Sequence, residues 1–335
     1  IAVVNWSISN QLLFNVESAE TVPYSSKWLE LLRFNPDISA NKLLEINHDF
    51  GYYLGDLVNQ FLSKYQIQAS DLDYIASHGH TYFHQPQAGY GYQLGGGPEL
   101  SLRTGVPTVT DFRTADLARG GQGAPLAPIL DRDLFPEYQA CLNLGGIANV
   151  TLQHQKTIQA FDIAPANQVL NHLARRKGQK YDKDGRIARQ GKVYMELLEQ
   201  LDKLNFYHQP IPKSLGIEWT IREVFPLVAE SKGSPEDLSR TYVEHLARQI
   251  ARQLPDDPQA RVLITGGGAF HKFLLERLQE LYIGEIYLPQ SSIINFKEAI
   301  LVSYLGLLRW NQKVNVLSSV TGADHDHCSG NVFYP

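Results

Sequence analysis

At 335 residues, 43% of them hydrophobic, the chain exceeds what one hydrophobic core usually organises, so two domains with a cleft between them are expected. A formal charge of −5 without a basic cluster argues against nucleic acid and anionic membrane as partners, and two cysteines are too few for a disulfide framework, which makes a reducing cytoplasm the default. No apolar run approaches the length of a bilayer span, and IAVVNWSISN has neither a basic start nor a signal-peptide core.

IAVVNWSI and QLLFNVESAETV alternate apolar and polar residues around Ser9-Asn10, which predicts a hairpin with its turn there. Ile1 already lies inside the alternation, so an upstream strand is expected to precede it. Phe50, Tyr53, Leu54, Leu57, Val58, Phe61 and Leu62 fall at helical spacing and predict an amphipathic helix ending near Tyr65. Ser70-Asp71 can cap a short turn before an apolar strand, DYIASHGHT. Its His78 and His80 would share one side of that strand, but third and fourth metal ligands at suitable spacing are lacking, so they read as polar lining of a cleft.

Thr110 to Pro128, TDFRTADLARGGQGAPLAP, is the richest loop. Asp111, Arg113 and Asp116 stand near a strand end, and Gly120, Gly121 and Gly123 surround Gln122. Arginine forks suit carboxylates and phosphates, while Asp and Gln suit sugar hydroxyls, so a polyhydroxylated anionic ligand would satisfy them all. An ion pair from Arg113 to an aspartate, merely holding the loop, is the structural alternative.

LNLGGIANVT (Leu142 to Thr151) and FDIAPAN (Phe161 to Asn167) break apolar strands where only small or polar side chains stand. Gly145 and Gly146 permit close approach of backbone N–H groups to a phosphate and tolerate positive φ. The plain alternative is a tight hairpin. Asp162 is placed at a strand end, followed by a turn at Pro165 and Asn167 into a helix from about Val169, where ligands of open α/β sheets sit.

YDKDGRIARQG has Asp182, Asp184 and Gly185 but lacks the remaining acids of a calcium loop, so calcium is rejected. VLITGGGAF is a buried strand emptying into Gly266, Gly267 and Gly268 before a helix from His271 to Leu281, a weak nucleotide signature when alone. NFKEAILVSYLGLLRW reads as a long helix opening at Asn295, with Glu298 in its first turn. His325, His327 and Cys328 invite zinc but have no distant partner pair, and no metal ligands are assigned.

Together these motifs resemble the anhydro-N-acetylmuramic acid kinase family, within the superfamily of actin-like sugar kinases and Hsp70. SHGHT is similar to the family's SHGQT; DFRTADLARGGQGAPLAP, LNLGGIANVT, YDKDG, TGGGAF and VTGA follow in the family's order over nearly the whole chain. The resemblance implies an α/β fold of two actin-like (ribonuclease H-like) domains with an interdomain cleft: residues 1–128 with 312–335, and residues 129–311. It implies an ATP- and Mg²⁺-dependent kinase that uses water to open the internal ether of 1,6-anhydro-N-acetylmuramic acid. The product is N-acetylmuramic acid 6-phosphate, in cell-wall recycling.

On that resemblance Asp162 is the catalytic base, Asp111, Arg113, Gln122, Asn167 and Glu298 surround the sugar, and Gly145, Gly146, Gly266, Gly267 and Gly268 cradle the nucleotide. The implied partners are the amino sugar and ATP in the cytoplasm, with a homodimer allowed. The family's GPGN is here APAN, with Ala164 and Ala166, and its opening MSGTSxDG phosphate turn has no match. The 335 residues are therefore expected to bind nucleotide weakly or not at all. Two other readings stay open: a kinase for another amino sugar without ring opening, and a non-catalytic sugar-sensing relative.

Overall fold

The computed structural model describes residues 1–8, 12–154 and 157–335; the expected turn at Ser9-Asn10 lies outside them. The chain forms two compact units, Ile1–Leu134 with Glu298–Pro335, and Phe135–Lys297. The strands of the first are β1 (Ala2–Ile8), β2 (Leu12–Ala19), β3 (Ile75–Ala76), β4 (His80–Gln85), β5 (Tyr90–Leu94) and β6 (Thr108–Thr110). Those of the second are β7 (Ala140–Leu144), β8 (Ile147–His154), β9 (Thr157–Pro165), β10 (Arg261–Thr265) and β11 (Glu285–Tyr287); β12 (Asn331–Phe333) returns to the first.

In the first unit β1 and β2 pair antiparallel, as their alternation predicts. The rings of the opposed Trp6 and Phe14 lie 5.7 Å apart, and the Trp6 indole N–H donates to Ser303 Oγ at 2.9 Å. A separate sheet has the order β12-β6-β3, with β3 parallel to β6. Residues of β1 and of β3 line one groove of about 880 Å³, together with the helix Ala40–Tyr65. That helix starts well before the apolar periodicity does, because Ser39 caps it by accepting from the Lys42 N–H at 3.3 Å. Its Phe50 and Tyr53 pack on Trp28, with the Trp28 and Tyr53 rings stacked at 4.8 Å.

The predicted strand DYIASHGHT is divided. Only Ile75–Ala76 is β3; Gly79 takes φ +67°, and His80 already opens the β4–β5 hairpin. The backbone turns at Gly79, so His78 lies in the connection after β3 while His80 starts β4.

The second unit holds one five-stranded sheet in the order β11-β10-β7-β8-β9. β7, β8 and β9 form an antiparallel meander, while β10 and β11 run parallel to β7. β7 joins the meander to the parallel pair through β10, a mixed sheet in keeping with the α/β fold that the resemblance implies. Leu142, Leu144, Val150, Ile163, Val262 and Ile264 from the sheet share one core with Tyr242, Leu246 and Ile250 of the helix Pro235–Ala251.

The helix Ser291–Trp310 corrects two expectations. It is long and apolar enough, by length and composition, to cross a membrane, whereas no such run was expected; its Ile294 is spent on the second unit's core, and Ile300, Tyr304 and Leu305 are also buried. Glu298 is not in its first turn. The helix begins at Ser291 and loses helical geometry at Phe296 (φ −121°, ψ 16°), so Glu298 follows a mid-helix break.

Candidate active site

The second unit carries a polar row across its sheet. Asp162 on β9 is opposite Asn149 on β8, Asn149 is opposite Asn143 on β7, and Asn143 is opposite Thr265 on β10. Side chains alternate between the faces of a strand, so Leu142, Leu144, Val150, Phe161 and Ile163 bury the other face while Asp162, Asn149 and Asn143 stay half-buried. Asp162 lies inside β9, not at its end, with Ile163, Ala164 and Pro165 still to follow.

One oxygen of Asp162 is held and the other is open. Oδ2 accepts from the Leu215 N–H at 2.8 Å and from the Ser214 hydroxyl at 3.1 Å, while Oδ1 has no hydrogen-bond partner among the described residues. Burial pushes the carboxyl pKa above its ordinary value, and the bonds from Leu215 and Ser214 pull against that shift. The result is a carboxylate of raised basicity, held by the protein through one oxygen.

Gly145 and Gly146 form the tight turn between β7 and β8, and neither has positive φ, contrary to the expected use of that freedom. Their carbonyls face the next helix. Gly146 O accepts from the N–H groups of Ala166 (2.8 Å) and Gln168 (3.2 Å), and Gly145 O accepts from that of Asn167 (3.1 Å). The turn thereby caps the helix Asn167–Arg175, which starts two residues before the expected Val169. The Asn167 side-chain amide donates to Leu144 O at 3.0 Å, so Asn167 stands beside the same turn.

Gly266, Gly267 and Gly268 follow β10 beside that turn. Gly266 has φ +80°, and a Cβ there would lie 2.5 Å from Asn143 Oδ1 and 2.8 Å from the Leu144 carbonyl. A Cβ at Gly267 would come within 3.7 Å of Asn167 Nδ2, and one at Gly268 within 2.6 Å of Leu144 Cβ. Glycine at 266 and 268 therefore lets this segment pack directly on β7, while Gly267 is exposed. His271 then caps the helix Lys272–Leu281, its Nδ1 accepting from the Leu274 N–H at 3.1 Å.

The first unit holds the other candidates. Asp111 adopts φ +59°; its Oδ1 accepts from the Thr114 N–H (3.2 Å) and its Oδ2 from the Asn331 amide (3.3 Å). Arg113 Nε donates to His78 Nε2 at 2.9 Å, and another of its nitrogens donates to Gly123 O. His78 must then carry its proton on Nδ1, facing Gly79 O at 3.2 Å; burial and the adjacent guanidinium both lower its pKa and keep it a neutral acceptor. The Gln122 side chain is exposed while its N–H donates to Thr321 O at 2.8 Å, and Glu298 shares the groove lining with Arg113 and His78.

Asp116 supports this loop. Fully buried, it accepts from the Gly123 N–H (2.7 Å) and from the Thr321 hydroxyl (2.7 Å), with His327 Nε2 at 3.7 Å. His327 thus serves the loop's packing. Asp182, the would-be calcium ligand, accepts from the N–H groups of Ile187 (2.8 Å) and Ala188 (3.0 Å) and so caps the short helix Arg186–Gln190.

Asp111, Arg113, Gln122 and Glu298 therefore belong to the first unit, and Asp162, Asn167 and the five glycines to the second. Asn143, Asn149 and Ser214 were missed. The two asparagines could have been noticed as polar residues at alternate positions within LNLGGIANVT, whereas Ser214 lies in a short polar segment without pattern.

A family model described as "Anhydro-N-acetylmuramic acid kinase" matches residues 18–335. Relatives carrying that name include one from Aliivibrio fischeri, 38% identical over 70% of this chain and 67% of its own length. Another, from Hydrogenovibrio crunogenus, is 32% identical over 98% of this chain and 93% of its own. Among solved structures, a hexokinase from Schistosoma mansoni complexed with glucose covers 90% of this chain and 82% of its own at 10% identity and a TM-score of 0.32, a likeness too low to decide anything.

Proposed function

Since the chain belongs to the anhydro-N-acetylmuramic acid kinase family and is a sugar kinase that uses ATP, we propose that it couples phosphorylation of 1,6-anhydro-N-acetylmuramic acid to hydrolytic opening of the internal ether, as a step in cell-wall recycling. The Asp162 carboxylate carries this reading: Oδ2 is anchored by two donors and Oδ1 is free to take a proton.

In the proposed reaction Asp162 Oδ1 takes a proton from water as the water oxygen bonds to the anomeric carbon. The bond from that carbon to O6 breaks, O6 bonds to the γ-phosphorus, and the γ-phosphorus separates from the bridging oxygen of ADP. A positioned base of this kind contributes on the order of a hundred- to ten-thousandfold in rate. Asp111, Arg113, Gln122 and Glu298 from the first unit, with Asn167 from the second, are the groups proposed to hold the sugar.

Gly266 and Gly268 let the segment after β10 pack directly on Asn143 and Leu144, which leaves the exposed Gly267 beside the β7–β8 turn as the backbone that a nucleotide could approach. Gly145 and Gly146 would bound it through the turn they form. Mg²⁺, when bound with the nucleotide, would neutralise phosphate charge.

Product mass after incubation of the chain, preceded by the family's MSGTSxDG phosphate turn, with Mg-ATP and the anhydro sugar tests the proposal, because ring opening adds one water to the phosphorylated product. A 6-phosphate with that added mass is expected. A phosphorylated sugar without it would favour a kinase that does not open the ring, and sugar binding without ATP consumption would favour a sensing role.

A further inference from the structure

Asp162 stands on β9, the edge strand of its sheet, and the segment Lys213-Ser214-Leu215 runs beside that edge. Resting on the reading of Asp162 as the base, we propose that this segment is a clamp: Lys213 and Ser214 are positioning residues that fix the carboxylate's orientation and reserve Oδ1 for the proton.

Three hydrogen bonds link the tripeptide to this one residue. The Asp162 N–H donates to Lys213 O at 2.9 Å, and its Oδ2 accepts from the Ser214 hydroxyl and the Leu215 N–H. Covering a strand edge would require only the first of these. The other two grip the side chain, and both leave the same oxygen open.

The clamp is anchored on both sides of the serine. The Leu215 side chain is buried in the unit's core. Lys213 Nζ donates to Phe206 O at 2.9 Å and to Tyr207 O at 3.4 Å, and sits 4.6 Å from the centroid of the Phe206 ring. Phe206 and Tyr207 are buried in turn, with the Tyr207 ring 4.8 Å from that of His245. A lysine held this way, with burial lowering its pKa, spends its ammonium on backbone carbonyls and not on a surface acid. Ser214 itself is exposed, so its hydroxyl contributes little to packing and its replacement should not unfold the chain.

Both donors to Oδ2 favour the charged carboxylate, and the residue opposite on β8 is the neutral Asn149. Removing either donor should therefore raise the pH at which Asp162 takes its proton. The charged side chain within the clamp is that of Lys213, whose ammonium is turned to the two carbonyls.

The test is a ¹³C-carboxyl NMR titration of the full chain, with the Asp162 resonance assigned by its loss in Asp162→Asn. Ser214→Ala should move that midpoint to higher pH with unchanged thermal melting, and Ser214→Thr should restore it. Lys213→Met, which keeps the stem but frees the segment, should move it in the same direction. In turnover assays Ser214→Ala should lower kcat by about three- to tenfold on the acid side with little change in KM. Midpoints in Ser214→Ala and Lys213→Met equal to that of the unaltered chain would overturn the clamp. Midpoints that move while Asp162→Asn keeps full turnover would uphold the clamp and remove Asp162 as the base.

Discussion

The two units solve one problem of sheet construction differently. In the second, β7 is paired on both edges, to β8 and to β10, which in turn pair with β9 and β11, so the five strands form one continuous sheet. In the first, β1 pairs only with β2 and β3 only with β6 among the described residues, and residues of both line one groove. A strand paired on both sides fixes register for its neighbours, whereas an isolated two-stranded hairpin is marginal in water. The candidate base and glycines lie on the continuous sheet; Asp111, Arg113 and Gln122 lie on a loop after β6, and its rigidity comes from the buried Asp116.

The largest effect should come from the continuous sheet. Asp162→Asn is expected to cut turnover on the order of a hundred- to ten-thousandfold while melting stays near that of the unaltered chain, since an amide oxygen can still accept from Leu215. Steady-state kinetics beside calorimetry would decide it, and a loss below tenfold would break the assignment of chemistry to this sheet.

Asp116→Ala probes the loop of the other unit. It strands the buried Gly123 N–H and leaves the Thr321 hydroxyl only its longer bond to Leu317 O, and about 1–3 kcal/mol of stability should be lost. Gly266→Ala forces a side chain into φ +80° against the Leu144 carbonyl, with about 1–3 kcal/mol expected in denaturant unfolding and weaker nucleotide binding alongside. Equal melting of Gly266→Ala and the unaltered chain would mean that the turn there is not fixed by its neighbours.

Hydrogen exchange sharpens the contrast between the sheets. Amides of β1 and β2 should exchange well before those of β7 and β8, and Trp6→Ala, which removes the contacts to Phe14, Tyr304 and Ser303, should cost about 1–2 kcal/mol and abolish the hairpin's protection. Equal protection of both sheets would sink the comparison.

The smallest effect is a pH dependence in the second unit. His245 is fully buried with Nδ1 at 2.6 Å from Asp202 Oδ1, and burial lowers its pKa despite that carboxylate. The unfolded chain takes a proton near the ordinary value of 6.5 when the folded chain does not, so stability should fall as pH drops below 6.5, by up to about 1.4 kcal/mol per pH unit. Denaturant melts at several pH values should show this slope, and His245→Gln should flatten it.

Much of the site was legible as residue types, less of it as geometry. The glycine runs, Asp162 and the Arg113 loop stand out because glycine and charge are conspicuous against apolar strands. Their local conformations were less accessible: Gly145 and Gly146 form a hairpin turn without positive φ, and Gly79 ends a strand that its flanking residues would continue. Alternation and helical spacing report which face is buried, but they do not report where a backbone must turn to meet another segment. Ser214 illustrates the limit, since its role depends on a partner 52 positions away in sequence.

By itself the sequence determined the family, the two-part build, the β1–β2 pairing and the amphipathic helix ending at Tyr65, because these follow from local periodicity and short motifs, while the β7–β8 hairpin stood only as an alternative. Only the tertiary structure decided which oxygen of Asp162 is free, that Asn149 and Asn143 stand in its row, that Arg113 is tied to His78, and that Asp116 holds the loop through Thr321. Each of these is a pairing between segments distant in sequence, and such pairings depend on how strands register and where buried polar groups find partners.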